Sequence, residues 1–523
     1  HTHNQISKYA GLFAAHPLEI AGVNNITILE RESRVGGRVH THYFDDYTKQ
    51  NKLYAELGAM RLPHVEKNGK PLGEHALVFE LIEHLNNLNK SHPERKIDLI
   101  PFIFSSDNDK FFYNGERLTQ KDAQEVKNFH LLGFPPSVRP SSIMLFSEAL
   151  KPFFKRLDEN FDDGVKYLKK YDRHSVYSYM KEVFLPEKLL LTDLMYPPPN
   201  ADEIIGAMEL TESATGLFRL AFVEAVLDAY TFTNSYPGED VKRTWKTIDG
   251  GMQRLPDALC SVLKQRIKLN SKVYKLEHLE NGNVKVYWKG QPPSSEEFHR
   301  VIVTAPLGVV RQWDLPKLSY GKRRAIRELN YDNSAKIFLR FKSRFWEKDD
   351  RMVGGSSSTD LMIRTVVYPS YYTDISPDND AMLLASYTWA NDAAKFAPLT
   401  QDECFKYALR DLETLHNRSL KNEWIPGTDN NVSIYWTNQK STVGAFALFG
   451  PEQLVNLLPD MLKVEKSIHW AGEHTDIHHA WIVGALNSAV RVVQEVLIAE
   501  SREKDWTVLK NHELLRSWMG NDS

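Results

Sequence analysis

Residues 26–39 read ITILERESRVGGRV. The apolar run Ile26–Leu29 has the pattern of a short buried strand, and it ends on an acid, Glu30. In a dinucleotide-binding βαβ unit such an acid accepts hydrogen bonds from ribose hydroxyls, about 20 residues after the glycine turn that opens the unit. Gly11 stands nineteen residues before Glu30, within YAGLFAA (residues 9–15), which reads as the start of a helix and could supply the last x-x-G of G-x-G-x-x-G. Downstream, Arg31 follows the acid, Gly36 and Gly37 let the backbone approach a phosphate, and Arg34 and Arg38 offer planar donors to it. A glycine pair alone would be an ordinary turn; helix start, strand, acid and glycine–arginine loop in this order describe a nucleotide site.

The upstream half of the unit is missing from the pattern. The second glycine of the motif would fall on Lys8, whose side chain fills the space a diphosphate needs, and residues 1–8 hold no apolar run that reads as a strand. Two readings stay open: residues are omitted between Lys8 and Tyr9, or the phosphate turn has been lost. Omission is the expectation, because Gly11, Glu30 and the glycine pair have little use without the turn.

The chain of 523 residues is long enough for two or three domains. A formal net charge of −3, with 25% charged and 42% hydrophobic residues, gives no broad pull toward nucleic acid or an anionic membrane. No apolar run of about 18 residues is evident, and the end of the chain, from Ser501, is too polar to anchor in a bilayer, so no membrane partner is expected. Cys260 and Cys404 are the only cysteines, which leaves secreted and cytoplasmic locations equally open.

Along the chain, 74–88 and 140–157 show apolar spacing near 3.6 and read as helices. Residues 175–234 read as mainly helical around a Pro197–Pro199 loop. Thereafter TIDGGMQRLPDALCSVL (247–263) is a glycine turn into a helix. Residues 267–290 read as two strands around an Asn281–Gly282 turn, RVIVTAPLG (300–308) as a buried strand, and 334–340 and 381–389 as strands of a further sheet.

The string ILERESRVGGRV resembles the second signature of the flavin amine oxidases, the group holding monoamine, polyamine and L-amino-acid oxidases. DGGM (249–252) with LPDAL, the Val273 region, VIVTAP and AGEHTD (471–476) match further blocks of that family in its order. The resemblance implies an α/β fold in which a Rossmann-like FAD-binding domain (9–67, 239–317, 449–500) interleaves with a mixed-sheet substrate domain (68–131, 318–448). A helical insertion (132–238) and a C-terminal tail (501–523) complete it. It also implies FAD as cofactor, a small-molecule amino acid and dioxygen as reactants, and a homo-oligomer, a dimer.

Site residues follow from the same resemblance. Gly58 and Ala59 leave room for a flat ring, with Met60 beside them, and Arg61 falls where L-amino-acid oxidases bind the substrate carboxylate, a contact amine oxidases do not need. A guanidinium suits it because its two parallel donors fix a carboxylate in orientation as well as energy. Tyr387 would add a hydroxyl to the same carboxylate, and Lys336 would hold a water near the flavin N5. Gly472 and Glu473 would meet the ribityl-diphosphate side. Ala480, Trp481 and Ile482 would place an aromatic wall and a helix N-terminus beside the ring. His474, His478 and His479 lack the H-E-x-x-H arrangement, so no metal is expected. Glu209, Glu212, Asp228, Phe232, Ala445 and Phe446 are candidates for the side-chain pocket; Asp228 is either an acid on the surface of a helix or, if buried, a carboxylate favouring a cationic side chain such as lysine. The expected reaction is oxidative deamination of an L-amino acid, with an amine oxidase or a flavin-free scaffold on the same fold as the alternatives.

Overall fold

The computed structural model describes residues 4–6, 8–45, 52–124, 132–134, 145–190, 201–212, 214–233, 241–290, 293–372, 374–516 and 518. Strand Ile26–Leu29 is the centre of a parallel sheet, flanked by Asn4–Ile6 on one side and Arg266–Lys268 on the other. The strand missing from the sequence pattern therefore exists: Asn4 pairs with Ile26 and Ile6 with Ile28, and helix Lys8–Ile20 carries the chain from one to the other. Three residues are too few for periodicity to register. Ser7 lies outside the described residues, and Lys8 already begins the helix.

That helix is buried from Tyr9 to Leu18, as a helix apolar on every side must be. It shares one core with Leu77–Leu85 and with the long helix Ile482–Ala499. The latter corrects the expectation about apolar runs, since by length and composition it could cross a bilayer. Its residues instead form the centre of this core, Val483, Leu486, Ala489, Val492 and Val493 among them. Beyond residue 500, Trp506, Leu509, Leu514 and Leu515 close the same core. Val301–Val303 and Ile468–Trp470 pair in parallel beside it.

The segment read as one strand from Ile267 is two. Arg266–Lys268 joins the parallel sheet, whereas Lys272–His278 pairs antiparallel with Val284–Lys289. Asn270, at φ 54°, turns the chain between them, a conformation asparagine tolerates better than most residues.

A seven-stranded sheet builds the second body around Ser334–Phe341 and Ala381–Trp389, which lie side by side. Helix Gln401–His416, with a full capping box at Thr400 and Glu403, covers it. A four-stranded antiparallel sheet places Leu62–Lys67 and Leu99–Pro101 against Lys242–Ile248. Helices Leu145–Glu159, Phe161–Leu168, Ala201–Glu212 and Phe222–Thr233 lie between strands Glu116–Thr119 and Lys242–Ile248 in the chain and contribute to one core. Phe146, Ala149, Leu150, Phe153 and Leu157 give the first of these its buried stripe. The proline triplet at 197–199 lies outside the described residues.

Candidate active site

Two cavities share Thr304 in their walls, and the smaller begins at the end of strand Ile26–Leu29. The smaller, about 440 Å³, is lined by Leu29, Arg31, Ser271, Val273 and Trp313. Glu30 is buried between Leu29 and Arg31, its carboxylate accepting the Glu32 amide at 2.9 Å. Arg31 Nη1 is buried with no hydrogen-bond partner among the described residues, a donor left for an anion or a base edge.

The larger cavity, a cleft of about 1230 Å³ open to solvent, continues along the glycine loop. Gly36 lines it, and φ of 100° there and 59° at Gly37 demand glycine. Arg34 is not a phosphate donor, as its guanidinium is spent on the carbonyls of Val35, Gly37 and Val39 and on Gln253. It closes the loop instead. Arg38 does face the cleft, held through Nη1 by Glu473 at 2.9 Å and by the Ala445 carbonyl at 2.7 Å. Glu473 also accepts the amides of Ala447 and Ala480, at 3.1 and 3.2 Å. Burial pushes its pKa up, but Arg38, His479 and His474 outweigh that and hold it below the usual carboxylate range. Gly472, also in the wall, has φ 120°, and a Cβ there would meet His474 at 2.8 Å. Gly11 stays inside its helix, one residue behind the wall that Tyr9 and Ala10 make.

Gly58, Ala59, Met60 and Arg61 form the next stretch of wall. The demand for glycine at 58 comes from the chain itself, since a Cβ would sit 1.7 Å from the Arg38 carbonyl oxygen. Opposite, Ser334 and Lys336 pair across the sheet with Trp389 and Tyr387, so one face of two strands delivers four cleft residues. Lys336 Nζ donates to the carbonyls of Gly58 and Glu56, at 2.6 and 3.0 Å, and stands 4.8 Å from the Tyr387 ring centre. Burial and Arg61 pull its pKa down to about 7 against the pull of the Glu56 carboxylate.

Arg61 is half-buried and makes no hydrogen bond or ion pair among the described residues. Its guanidinium instead sits over rings, 4.8 Å from Phe232, 5.0 Å from Phe104, 5.8 Å from Trp245 and 5.9 Å from Phe102. A charge with aromatic neighbours and free donors is poised for an anionic ligand. Tyr387, whose hydroxyl burial pushes up to about 12, lines the same space. Ala445, Phe446, Ala480, Trp481 and Ile482 complete the wall, the last beginning helix Ile482–Ala499, so that the N-terminus of this helix stands at the cleft.

Asp228 and Phe232, one turn apart on helix Phe222–Thr233, also face the cleft, so Asp228 is not a surface acid. Glu209 is not part of it: its carboxylate accepts the amides of Gly216 and Phe218 at 3.0 and 2.7 Å and fixes a turn. Glu212 lies outside the lining as well. His478 is committed to Asp476 and Glu74, and His479 to Glu224. Trp389, Trp436 and His75 line the cleft without having been singled out. Trp389 could have been found, because it lies two residues from Tyr387 on a strand.

The comparisons bear on this geometry. Residues 9–497 match the family described as flavin containing amine oxidoreductase. The chain is 32% identical to the L-amino-acid oxidase of Siganus canaliculatus over 93% of this chain and 83% of that one. It is 31% identical to L-amino-acid oxidase 4 of Hebeloma cylindrosporum, over 93% of this chain and 80% of that one. A protein of Dictyostelium discoideum described as a bifunctional amine oxidase is 32% identical over 95% of this chain, which spans only 46% of it. Among solved structures, a putrescine oxidase redesigned for cofactor binding superposes with a TM-score of 0.69 at 16% identity, covering 95% of this chain and 99% of that one.

Proposed function

The chain belongs to the flavin-containing amine oxidoreductases, with FAD as cofactor, and on that premise we propose that it oxidises L-amino acids to 2-oxo acids, releasing ammonia and hydrogen peroxide. The observation that carries this reading is Arg61, a guanidinium in the cleft wall with every donor uncommitted among the described residues. An amine substrate has nothing for it to hold; an amino acid has a carboxylate.

The residues fit the cofactor. Arg31 with Glu30 suits the ribose end, the Gly36–Gly37 loop with Arg38 the diphosphate, and the wall of Gly58, Ala59, Lys336 and Trp481 a flat ring. Bound there, FAD would supply the two-electron chemistry of the oxidation.

The chain's own contribution is placement and charge. Arg61 and the Tyr387 hydroxyl fix the carboxylate, which leaves the Cα–H bond one direction to face. Trp389, Trp436 and Trp481 narrow the space left for water around the bound substrate. Lys336, anchored by two carbonyls, keeps its remaining proton position for a water or for negative charge developing on oxygen.

Peroxide release from each proteinogenic L-amino acid and from its decarboxylated amine tests the proposal. Turnover of the amino acid alone is expected. Preference for the amine would overturn it.

A further inference from the structure

The cleft carries a second separated charge. Asp228 lies one helical turn before Phe232, whose ring holds Arg61 on its face, and no ion pair within 4.0 Å joins the Asp228 carboxylate to Arg61 or to any other described cation. The indole N–H of Trp481 stands close enough to favour the ionised carboxylate without reaching hydrogen-bond geometry. Burial pushes the Asp228 pKa up to about 6, with Arg61 and Trp481 opposing and Glu224 adding to the rise.

Behind Asp228 and Trp481 lies a further chamber of about 380 Å³ that both residues share with the cleft. Two other acids line it, and each is already matched: Glu74 by His478 Nε2 at 3.3 Å, Glu224 by His479 Nδ1 at 2.9 Å. Asp228 is thus the acid of this chamber without a cationic partner among the described residues. Asp228 is half-buried at the junction of cleft and chamber, and a carboxylate held in a partly dry site without a cationic partner favours a ligand that neutralises it. The ring of Trp481, 5.6 Å from that of Phe232 and 6.1 Å from that of Trp245, adds a face that attracts a cation.

We propose that Asp228 reads the side chain of the substrate, and that the preferred substrates are amino acids carrying a cation at the end of an aliphatic stem, lysine first among them. The inference rests on the assignment of Arg61 to the substrate carboxylate. Arg61 and Asp228 then form two poles, one for each charged end of the substrate, with the chamber beyond Trp481 giving room for the stem.

Lysine, norleucine and cadaverine, assayed with the purified holoenzyme by peroxide release, separate the possibilities, because norleucine has the chain of lysine without its charge and cadaverine lacks only the carboxylate. The expected kcat/KM ratio of lysine to norleucine is on the order of 100, collapsing to about 1 in Asp228→Asn, a change that preserves shape. A wild-type ratio at or below 1 overturns the inference even if the variant fails to fold. Equal losses on lysine and norleucine in Asp228→Asn overturn it too, because they place the carboxylate at the α-amine. Cadaverine consumed in preference to lysine sinks the reading of Arg61 itself; norleucine consumed as well as lysine leaves that reading standing and sinks only the role of Asp228.

Discussion

Arg38 Nη1 lies 2.9 Å from Glu473 Oε1, although 435 residues separate them in the chain. The pair ties the glycine loop after the first strands to the segment before the last long helix, and both residues line the cleft. Removing one partner of a buried ion pair costs about 3–5 kcal/mol. Glu473→Ala is therefore expected to lower the melting temperature and to purify with much less bound flavin, since the amides of Ala447 and Ala480 lose their acceptor as well. Flavin content by visible absorbance checks this, and full occupancy would count against the pair as part of the cofactor wall.

Arg61→Ala is expected to lower kcat/KM for amino acids by about 2–5 kcal/mol of transition-state stabilisation, with the yellow colour retained. Arg61→Lys should recover only part of the loss, because an ammonium cannot present two parallel donors. Steady-state kinetics on both variants decide it; unchanged efficiency in the alanine variant would remove the main support for the amino-acid reading.

Tyr387→Phe deletes one hydroxyl while keeping the ring against Lys336 and Trp389. A hydrogen bond to a charged group contributes about 1.5–3 kcal/mol, so a rise in KM for amino acids is expected, by roughly one to two orders of magnitude. An unaltered KM would show that the hydroxyl does not reach the carboxylate.

Which residues were legible in the sequence follows from how local their signals are. Glu30, Gly36 and Gly37 announce themselves through spacing and backbone demand within one short stretch. Tyr387 and Lys336 became readable through the resemblance, yet their partners Trp389 and Ser334 share the same strand faces and needed only the two-residue period. Phe102, Phe104 and Trp245 were not readable at all. They reach Arg61 because Phe102 hydrogen-bonds the Trp245 carbonyl at a sheet edge, a juxtaposition set by tertiary topology. Arg34 misled for the opposite reason: an arginine in a glycine loop suits a phosphate and a carbonyl cage equally well, and only the folded loop chooses between them.

Glu209 offers a control on that distinction. As the acceptor for the Gly216 and Phe218 amides, its loss in Glu209→Ala should cost about 1–3 kcal/mol of stability. The kcat/KM of the folded fraction should not change, as measured by denaturant melts beside turnover. A selective change in substrate preference would return this residue to the pocket.

His478 makes the sharpest pH prediction. Burial alone would push its pKa down, but Asp476 at 2.7 Å and Glu74 at 3.3 Å reverse that and raise it to about 10. A folded-state pKa above the unfolded value means that the native state binds the proton more tightly, so the contribution is complete below about pH 6.5 and fades as pH rises toward 10. Melting temperature should therefore fall across that window. His478→Gln, which cannot carry the proton, should start lower, by on the order of 2–4 kcal/mol, and lose less as pH rises, so the two curves converge. Parallel curves for the two proteins would show that the imidazolium is not held between these carboxylates.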